Sequence, residues 1–329
     1  MPRLLVQLAA QAGKTPEECT SQAHRELAKG NFLDGFALHE SRWDMPEFRE
    51  QTAGDPSRQL HRLEDARGKR VLLFHEQGLG DIILMLRFVP AFVRMAEAVA
   101  LAVQPPLQRL ASRIPGIHGV ITLGDTYQEP DLYCPIMSLP YLLRTRLATL
   151  PATVPYLSLP QGLVAAWAER LGPKTKPRVG LAIRGSAANI KNQERSISAE
   201  LLRPLLALDH IEFHLIADQV SEADSAVLRE AGVRVHTAEL HDLADAGALA
   251  SNMDLVISVC TSIAHLAGAL ALPVWVPLTF QPYWAWMLNG VTTPWYPTAR
   301  LFRQETPGDW APVVRELRDR LIEALPPTG

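Results

Sequence analysis

The chain lacks the sequence features that mark several common classes of protein. Its 329 residues include only 3 cysteines, Cys19, Cys134 and Cys260, which are too few and too dispersed to predict a disulfide framework or a zinc site. Its 32 lysines and arginines are balanced by 35 aspartates and glutamates and form no basic run, which argues against bulk binding of nucleic acid. The N-terminal stretch MPRLLVQLAAQAGK has no signal-peptide core or cleavage site. The scarcity of cysteine favours a reducing, cytoplasmic compartment.

The chain also lacks a convincing membrane span. The apolar stretch 255–278 is long enough to suggest one, but it contains His265, Pro273 and Pro277. Its pattern changes midway from β-branched residues to a helical spacing. We therefore expect a buried strand, helix and strand in this stretch, and no membrane-spanning helix.

One stretch, residues 71–96 (VLLFHEQGLGDIILMLRFVPAFVRMA), organises the rest of the chain. It opens with the continuous apolar run 71–74, which predicts a strand buried on both faces of a parallel sheet. A turn with Gly78 and Gly80 follows, and apolar residues then recur at spacings of four, three and four, which predicts a helix over 81–96. Strand, glycine turn and helix are the start of a βαβ nucleotide-binding unit, in which glycine lets the backbone approach a ligand closely.

Asp81 stands where this helix begins, and two interpretations of it remain open. Aspartate is favoured at a helix N-terminus, where its carboxylate caps free N–H groups and interacts favourably with the helix dipole. The same position lies outside the carboxyl end of a first strand, which is where α/β proteins bind ligands. Asp81 is therefore either a helix cap alone or a functional carboxylate.

The sequence from residue 71 onwards predicts two α/β halves. Strands and helices alternate over 71–135, prolines interrupt 140–160, and a second alternation starts at Arg178. A last helix is predicted over 309–325. Two Rossmann-like halves in tandem describe a two-domain protein with its site in the cleft between them. Glycosyltransferases, epimerases and periplasmic-type binding proteins all fit this description.

Residues 1–60 have a different character. Helices are predicted over 17–29 and 32–43, with Gly30 and Asn31 between them, and a polar linker follows over 51–70. The string AKGNFLDGFALHESRW resembles the end of a tetratricopeptide unit. Because such solenoids need about three repeats and only one unit is visible, this segment is either a remnant cap packed on the main body or the end of a longer array.

Longer strings resemble a bacterial family that joins tetratricopeptide repeats to a glycosyltransferase of the heptosyltransferase kind (glycosyltransferase family 9-like). They are HEQGLGDIILMLRFVP, VQPPLQRLASRIPGI, DLYCPIMSLP, ERSIS, LASNMDLVISVCTSIAHLAGALALPVWV and PWYPTARLFRQETPGDW, in the family's order over residues 20–325. The resemblance implies a GT-B fold, which is an α/β architecture of two Rossmann-like domains facing a central cleft, here preceded by the short helical segment. It also implies a nucleotide-sugar donor as co-substrate, with no cofactor and no metal.

The resemblance divides the chain into four parts. Residues 1–60 are expected to form the tetratricopeptide-like remnant and the start of the linker, and 61–160 the acceptor domain. Residues 161–308 are expected to form the nucleotide-sugar domain, and 309–329 a helix that crosses back to the first domain. The implied acceptor is a hydroxyl of a protein or a glycan, and the sequence specifies neither the sugar nor the nucleotide base.

The resemblance also implies residue roles. Asp81 matches the family's proposed general base on the acceptor hydroxyl, whose proton must leave as the hydroxyl attacks. Thr261, Ser262 and His265 fall on a motif at a helix N-terminus, which suits a diphosphate. The residues expected to bind the donor are Gly78, Gly80, Arg184, Gly185, Lys191, Arg195, Cys260, Thr261, Ser262 and His265.

Several of these residues also have ordinary structural interpretations. Arg195, and less closely Lys191, match a basic position that neutralises the leaving group, but Arg195 could equally be the ion-pair partner of a loop. His265 could be a buried histidine bonded to the backbone. Gly185 ends the first strand of the second half and would let a diphosphate or sugar approach.

The chain departs from the family pattern at two places. Cys260 replaces an aspartate before Thr-Ser, and a thiol cannot accept hydrogen bonds as a carboxylate does. Arg184 stands where the family has Trp-Ser-Gly, and it could grip phosphate bidentately. These departures leave open a catalytically degenerate GT-B protein that binds or scaffolds a partner. A nicotinamide oxidoreductase is a weaker hypothesis, since the turn lacks the third glycine of a dinucleotide fingerprint.

Overall fold

The computed structural model of the chain describes residues 13–49, 55–122, 124–185 and 192–327. The chain forms two compact units. Unit 1 consists of Met1–Tyr156 and Tyr283–Asn289, and unit 2 of Leu157–Pro282 and Gly290–Gly329. None of the helices within the described ranges is both long and apolar enough to cross a membrane.

The sheet of unit 1 is parallel and is built around the predicted apolar run. Its strands are β1 Arg70–Phe74, β2 Ala98–Ala102, β3 Gly119–Ile121 and β4 Leu132–Pro135, in the order β3-β2-β1-β4. The four apolar residues of β1 are at most 4% exposed, as a strand covered on both faces requires. The strand order reverses between β1 and β4, so the switch point at which such sheets bind ligands lies between these two strands.

The two helices predicted in the N-terminal segment are present, and other short helices follow. The α-helices among the described residues of unit 1 are α1 Pro16–Lys29, α2 Phe32–His39, α3 Pro46–Arg49, α4 Leu79–Leu86, α5 Val89–Val93, α6 Gln108–Ala111 and α7 Leu139–Leu142. A capping box at Thr15 starts α1, and Gly30 ends it with a left-handed φ of 88°. The tetratricopeptide character of this helix pair stays a prediction.

The helix predicted over 81–96 is divided in the structure. The first part, α4, ends at Leu86, and α5 begins at Val89. Pro90 is the physical reason, because it has no N–H to donate and its ring would clash with the carbonyl four residues earlier. Three residues of the predicted apolar stripe, Ile82, Leu86 and Val89, are each at most 1% exposed, whereas Val93 is half-buried.

The sheet of unit 2 is also parallel. Its strands are β5 Arg178–Ala182, β6 Glu212–Leu215, β7 Arg234–Val235, β8 Leu255–Ser258, β9 Val274–Leu278 and β10 Ala299–Arg303, in the order β10-β9-β8-β5-β6-β7. The order reverses between β5 and β8, so the switch point of this sheet lies at their carboxyl ends. The stretch 255–278 is a buried strand, helix and strand, as predicted.

The last helix packs within unit 2. In the described part of this unit the α-helices are α8 Leu163–Leu171, α9 Asn192–Arg195, α10 Arg203–Leu206, α11 Glu222–Glu230, α12 Leu243–Ala250, α13 Ser262–Ala269 and α14 Ala311–Ala324. We expected α14 to cross back to the first domain, but its apolar face, with Val313, Leu317 and Leu321, joins the core of unit 2. The segment of the C-terminal half that belongs to unit 1 is Tyr283–Asn289.

Candidate active site

Asp81 is the third residue of α4 and lies just beyond the carboxyl end of β1. Its Oδ2 accepts a hydrogen bond from the N–H of Gly78, the N-cap residue, at 3.0 Å. The capping interpretation of Asp81 is therefore confirmed. The other oxygen, Oδ1, accepts a second hydrogen bond at 2.6 Å from the hydroxyl of Tyr283. A helix cap does not need this second bond, so capping alone does not account for Asp81.

Burial and hydrogen bonding have opposite effects on the pKa of Asp81. Burial raises the pKa of its carboxyl group above the ordinary value. The hydrogen bonds from Tyr283 and Gly78 favour the ionised form and offset part of this effect, while the charge of Glu76 adds to it. The result is a half-buried carboxylate with a raised pKa, which is the property that proton acceptors in active sites need.

The strained residue of the glycine turn is a glutamine. Gln77 has a φ of 64°, in the left-handed region that costs a non-glycine residue about 1 kcal/mol or more. Its carbonyl accepts a hydrogen bond from Nε2 of Gln104 at 3.3 Å. Gly78 has an ordinary φ of −89°, and a Cβ atom there would lie 3.2 Å from Oδ2 of Asp81. The predicted contacts of Gly78 and Gly80 with a donor stay predictions.

A buried ion network that sequence reasoning missed lies next to this turn. Arg42 is 0% exposed and donates to both oxygens of Glu76, at 2.8 and 2.7 Å. It also donates to Glu40 and to the hydroxyl of Ser138, which follows β4. The N–H of Met137 also donates a hydrogen bond to Oε1 of Glu76, at 3.1 Å. Burial opposes the charge of Arg42, but Glu76 and Glu40 raise the pKa of its guanidinium.

In unit 2, the predicted Thr-Ser motif starts α13 at the switch point. Thr261 is the N-cap, and its hydroxyl oxygen accepts a hydrogen bond from the N–H of Ile263 at 3.2 Å. A hydrogen bond of 3.1 Å joins the hydroxyls of Thr261 and Ser258, at the end of β8. Ser262 is the first residue of the helix and is half-buried. This helix start has the N–H groups and the dipole direction that suit an anion.

Arg195 lies at the same switch point, between the segments that follow β5 and β8. Its Nη1 donates to the main-chain carbonyl of Cys260 at 2.8 Å, while its buried Nε has no hydrogen-bond partner among the described residues. A Cβ atom on Gly185 would lie 2.3 Å from Nη2 of Arg195. The close approach that Gly185 permits in the structure is thus that of the Arg195 guanidinium.

Arg184 is engaged by a neighbouring carboxylate. Its Nε forms an ion pair with Asp224, which is 4% exposed. Asp224 also accepts hydrogen bonds from the N–H of Ala199 and the hydroxyl of Ser221. Burial works against the charge of Asp224, but Arg184 and these donors outweigh it and lower its pKa. The predicted contact of Arg184 with phosphate stays a prediction.

His265 is buried, at 3% exposure, on the apolar helix α13. Its Nδ1 forms a 2.9 Å hydrogen bond with the hydroxyl of Tyr296, whose ring it also meets edge-on. This agrees with the interpretation of a satisfied core histidine, with a tyrosine in place of the backbone as partner. A ligand role for His265 stays a prediction. Lys191 lies outside the described residues.

Comparison with known proteins adds one relative in sequence. No protein-family model matches the chain. Protein FlbA of Caulobacter vibrioides is 28% identical over an alignment of 328 residues, which covers 89% of this chain and 53% of FlbA. The chain therefore spans about half the length of this relative.

Solved structures identify the fold. The glycosyl transferase family 9 protein of Veillonella parvula superposes with a TM-score of 0.55 and 13% identity, over 77% of this chain and 90% of that one. The ADP-heptose lipopolysaccharide heptosyltransferase II of E. coli superposes with a TM-score of 0.51 and 14% identity, over 78% of this chain and 99% of that one. The chain has the α/β fold with parallel sheets found in these GT-B-like glycosyltransferases.

Proposed function

We propose that this chain is a glycosyltransferase that moves a sugar from a nucleotide-sugar donor to a hydroxyl acceptor. The observation that carries the proposal is the half-buried Asp81, held by two hydrogen bonds outside the carboxyl end of β1. The fold that the chain shares with family 9 glycosyltransferases supports it. A protein or glycan acceptor, a cytoplasmic location and transfer without a metal or cofactor are parts of the same proposal.

Asp81 acts as the general base. The acceptor hydroxyl gives its proton to the carboxylate while its oxygen forms a bond to the anomeric carbon of the sugar. The bond from that carbon to the diphosphate oxygen breaks, and its electron pair leaves with the nucleoside diphosphate. A raised pKa makes Asp81 a stronger base than an exposed aspartate, provided that it is ionised at the working pH.

Unit 2 supplies the stabilisation of the leaving group. The start of α13 favours an anion because of the helix dipole, and the N–H of Ser262 is the donor proposed there, since that of Ile263 is already bonded to the Thr261 hydroxyl. Arg195 adds a fixed positive charge at the same switch point and has a donor, Nε, that no described residue uses. Together these groups stabilise the negative charge that develops on the diphosphate as the sugar leaves.

A catalytically degenerate binding or scaffold protein is the second candidate. Two observations favour it. Cys260 offers a thiol where the family pattern has a carboxylate, and Arg184 is committed to the buried Asp224. In this case the residues of the candidate site would hold a partner without transferring a sugar.

The proposal is tested by titrating the purified protein with UDP-, GDP-, ADP- and CMP-linked sugars in thermal-shift and calorimetric experiments. One nucleotide class is expected to raise the melting temperature, because a ligand that binds the native state stabilises it by about 2.7 kcal/mol at a hundredfold excess over Kd. The bound donor should then be consumed when acceptors are supplied. Arg195→Ala should abolish the shift, whereas Arg203→Ala, on the surface of the same unit, should preserve it.

The opposite results would identify the second candidate. If no donor at millimolar concentration shifts the melting temperature, the chain does not bind nucleotide-sugars and the scaffold function is favoured. If a donor binds but no transfer occurs with any hydroxyl acceptor, the site has kept recognition and lost catalysis.

Gly185→Ala is expected to weaken donor binding without a large effect on folding. The added methyl group would displace the guanidinium of Arg195, which is the mobile end of a flexible side chain. Loss of one charge-assisted contact to the diphosphate should raise Kd by about 10- to 100-fold in calorimetry.

A matched control for this glycine is Gly119. A Cβ atom at Gly119 meets nothing within 4 Å, so Gly119→Ala adds the same methyl group in open space. It should leave Kd unchanged. Equal Kd values for the Gly185→Ala and Gly119→Ala proteins would show that Arg195 does not contact the donor.

A further inference from the structure

The segment Tyr283–Asn289 is anchored to the two N-terminal helices. The N–H of Leu288 donates to the carbonyl of Ala28, at the end of α1, at 3.1 Å. The ring of Trp284 meets the ring of Phe36, on α2, edge-on at a centroid distance of 5.8 Å. Trp284 is 3% exposed, so this is a buried contact. The helices α1 and α2 therefore fix the position of this segment within unit 1.

Tyr283 begins the segment and reaches the carboxylate of Asp81. Its ring lies against that of Trp284, with centroids 4.9 Å apart and planes at 43°. Its hydroxyl donates to Oδ1 of Asp81 at 2.6 Å, which is the distance of a strong charge-assisted hydrogen bond. A continuous set of contacts thus runs from α2 through Trp284 to the carboxylate.

This hydrogen bond has two chemical consequences for a base. A carboxylate oxygen has two lone pairs, so Oδ1 still has one free to accept a proton while Tyr283 occupies the other. Because Gly78 holds Oδ2 and Tyr283 holds Oδ1, the plane of the carboxylate is fixed. A donor to the charged form also keeps the carboxylate ionised against the effect of burial.

The other charged groups near Asp81 do not replace this donor. Glu76, which follows β1, acts in the opposite direction and disfavours a second negative charge. The guanidinium of Arg42 is committed to Glu76 by two hydrogen bonds. Among the described residues of unit 1, Tyr283 is the side chain that donates a hydrogen bond to Asp81.

We propose that Tyr283 is a positioning residue for the base Asp81 and that helices α1 and α2 hold it in place. The N-terminal helical segment is then a structural part of the transferase site, in addition to any partner that it binds. This inference rests on the proposed function, since it assigns Asp81 the role of base.

Tyr283→Phe is the variant that tests the inference. Phenylalanine keeps the ring against Trp284 and removes only the hydroxyl. We expect kcat for sugar transfer to fall by about tenfold or more, the equivalent of one hydrogen bond to a charged group, with little change in the KM for donor. The acidic limb of the pH profile of kcat should move to higher pH, because Asp81 loses a donor that lowers its pKa.

Tyr156 provides a matched control within the same unit. Its hydroxyl donates to the carbonyl of Ile83, also on α4, at 3.0 Å. Tyr156→Phe thus removes a tyrosine hydroxyl that bonds to the same helix, and that also accepts from Arg87 at 3.3 Å, without touching Asp81. It should leave the acidic limb in place, whereas a purely structural effect on α4 would appear in both variants.

A second measurement separates the failure of this inference from the failure of the proposed function. The carboxyl ¹³C signal of Asp81 is followed by NMR as a function of pH in the full chain and in both variants. An upward move of its titration in Tyr283→Phe alone supports the coupling even if no transfer activity is found. If the wild-type protein transfers sugar but Tyr283→Phe matches Tyr156→Phe in both kcat and titration, the inference is overturned.

Discussion

Asp81→Asn is expected to lower kcat for sugar transfer by about 10²- to 10⁴-fold, the contribution of a positioned general base. The amide has nearly the same shape as the carboxylate, and it cannot take a proton from the acceptor hydroxyl. Donor binding should survive, since the diphosphate contacts are assigned to Arg195 and the start of α13. The measurement is kcat with the donor class that binds, together with calorimetric Kd for that donor.

The pH dependence of the wild-type protein belongs to the same prediction. Burial raises the pKa of Asp81, and only the ionised carboxylate can accept the proton. Activity should therefore be present above the raised pKa and be lost as the pH falls through it. This loss should occur at a higher pH than an ordinary aspartate would give, and the residual activity of Asp81→Asn should not show it.

Asp125 is a control for the loss of a local hydrogen bond between a carboxylate and a main-chain N–H. Its carboxylate accepts a hydrogen bond from the N–H of Thr122, three residues earlier, just as Asp81 accepts from Gly78. It is exposed, and Asp125→Asn should leave kcat unchanged. Full activity in Asp81→Asn would show that its carboxylate is a helix cap and nothing more.

Arg42→Met is expected to lower the free energy of unfolding by about 3–5 kcal/mol, the cost of breaking a buried ion pair by removing one partner. Arg42 is fully buried, and its loss would leave Glu76 without the guanidinium that pairs it. Urea denaturation followed by tryptophan fluorescence measures the effect. Since Glu76 precedes the turn that holds Asp81, kcat should fall as well.

Two controls separate burial from the mere loss of an arginine. Arg203 also contacts two carboxylates, Glu200 and Glu230, but on the surface, where ion pairs contribute little. Arg203→Met should therefore change the unfolding curve far less than Arg42→Met. Adding Glu76→Gln to Arg42→Met removes the unpaired charge and should recover part of the lost stability. Equal effects of Arg42→Met and Arg203→Met would contradict the prediction.

Local patterns allowed the first half of the candidate site to be predicted from the sequence. The run 71–74 and the glycine turn placed Asp81 at the start of a helix, because strand and helix periodicity act over only a few residues. The strand β10 was missed for the same reason. Arg300 and Arg303 interrupt its apolar pattern, and its parallel pairing with β9 is not visible in the local sequence.

The partners of the site residues could not be predicted, because tertiary structure brings them together. Tyr283 and Asp81 are separated by 202 positions, and Arg42 and Glu76 by 34. No periodicity links such positions. The string that contains Arg42 was noticed for its resemblance to a repeat, and its buried partner gave no sign in the sequence.

The substitution of Cys260 for the family's aspartate does not remove the contact that Arg195 makes at this position. The sequence suggested that a missing carboxylate would weaken the site. In the structure, Arg195 contacts the main-chain carbonyl at this position, at 2.8 Å. Every residue type has that carbonyl, so this contact does not depend on the substitution.

Unit 1 is built from two separate stretches of the chain, and this limits how homologous chains can recombine. A chimera of two homologous chains joined at residue 156 would take Asp81 from one parent and the segment Tyr283–Asn289 from the other. The carboxylate and its hydroxyl donor would then come from different parents. The segment from the second parent would pack against Phe36 of the first. The two units are therefore not freely exchangeable modules, and viable crossovers should either match this contact or leave both of its sides within one parental sequence.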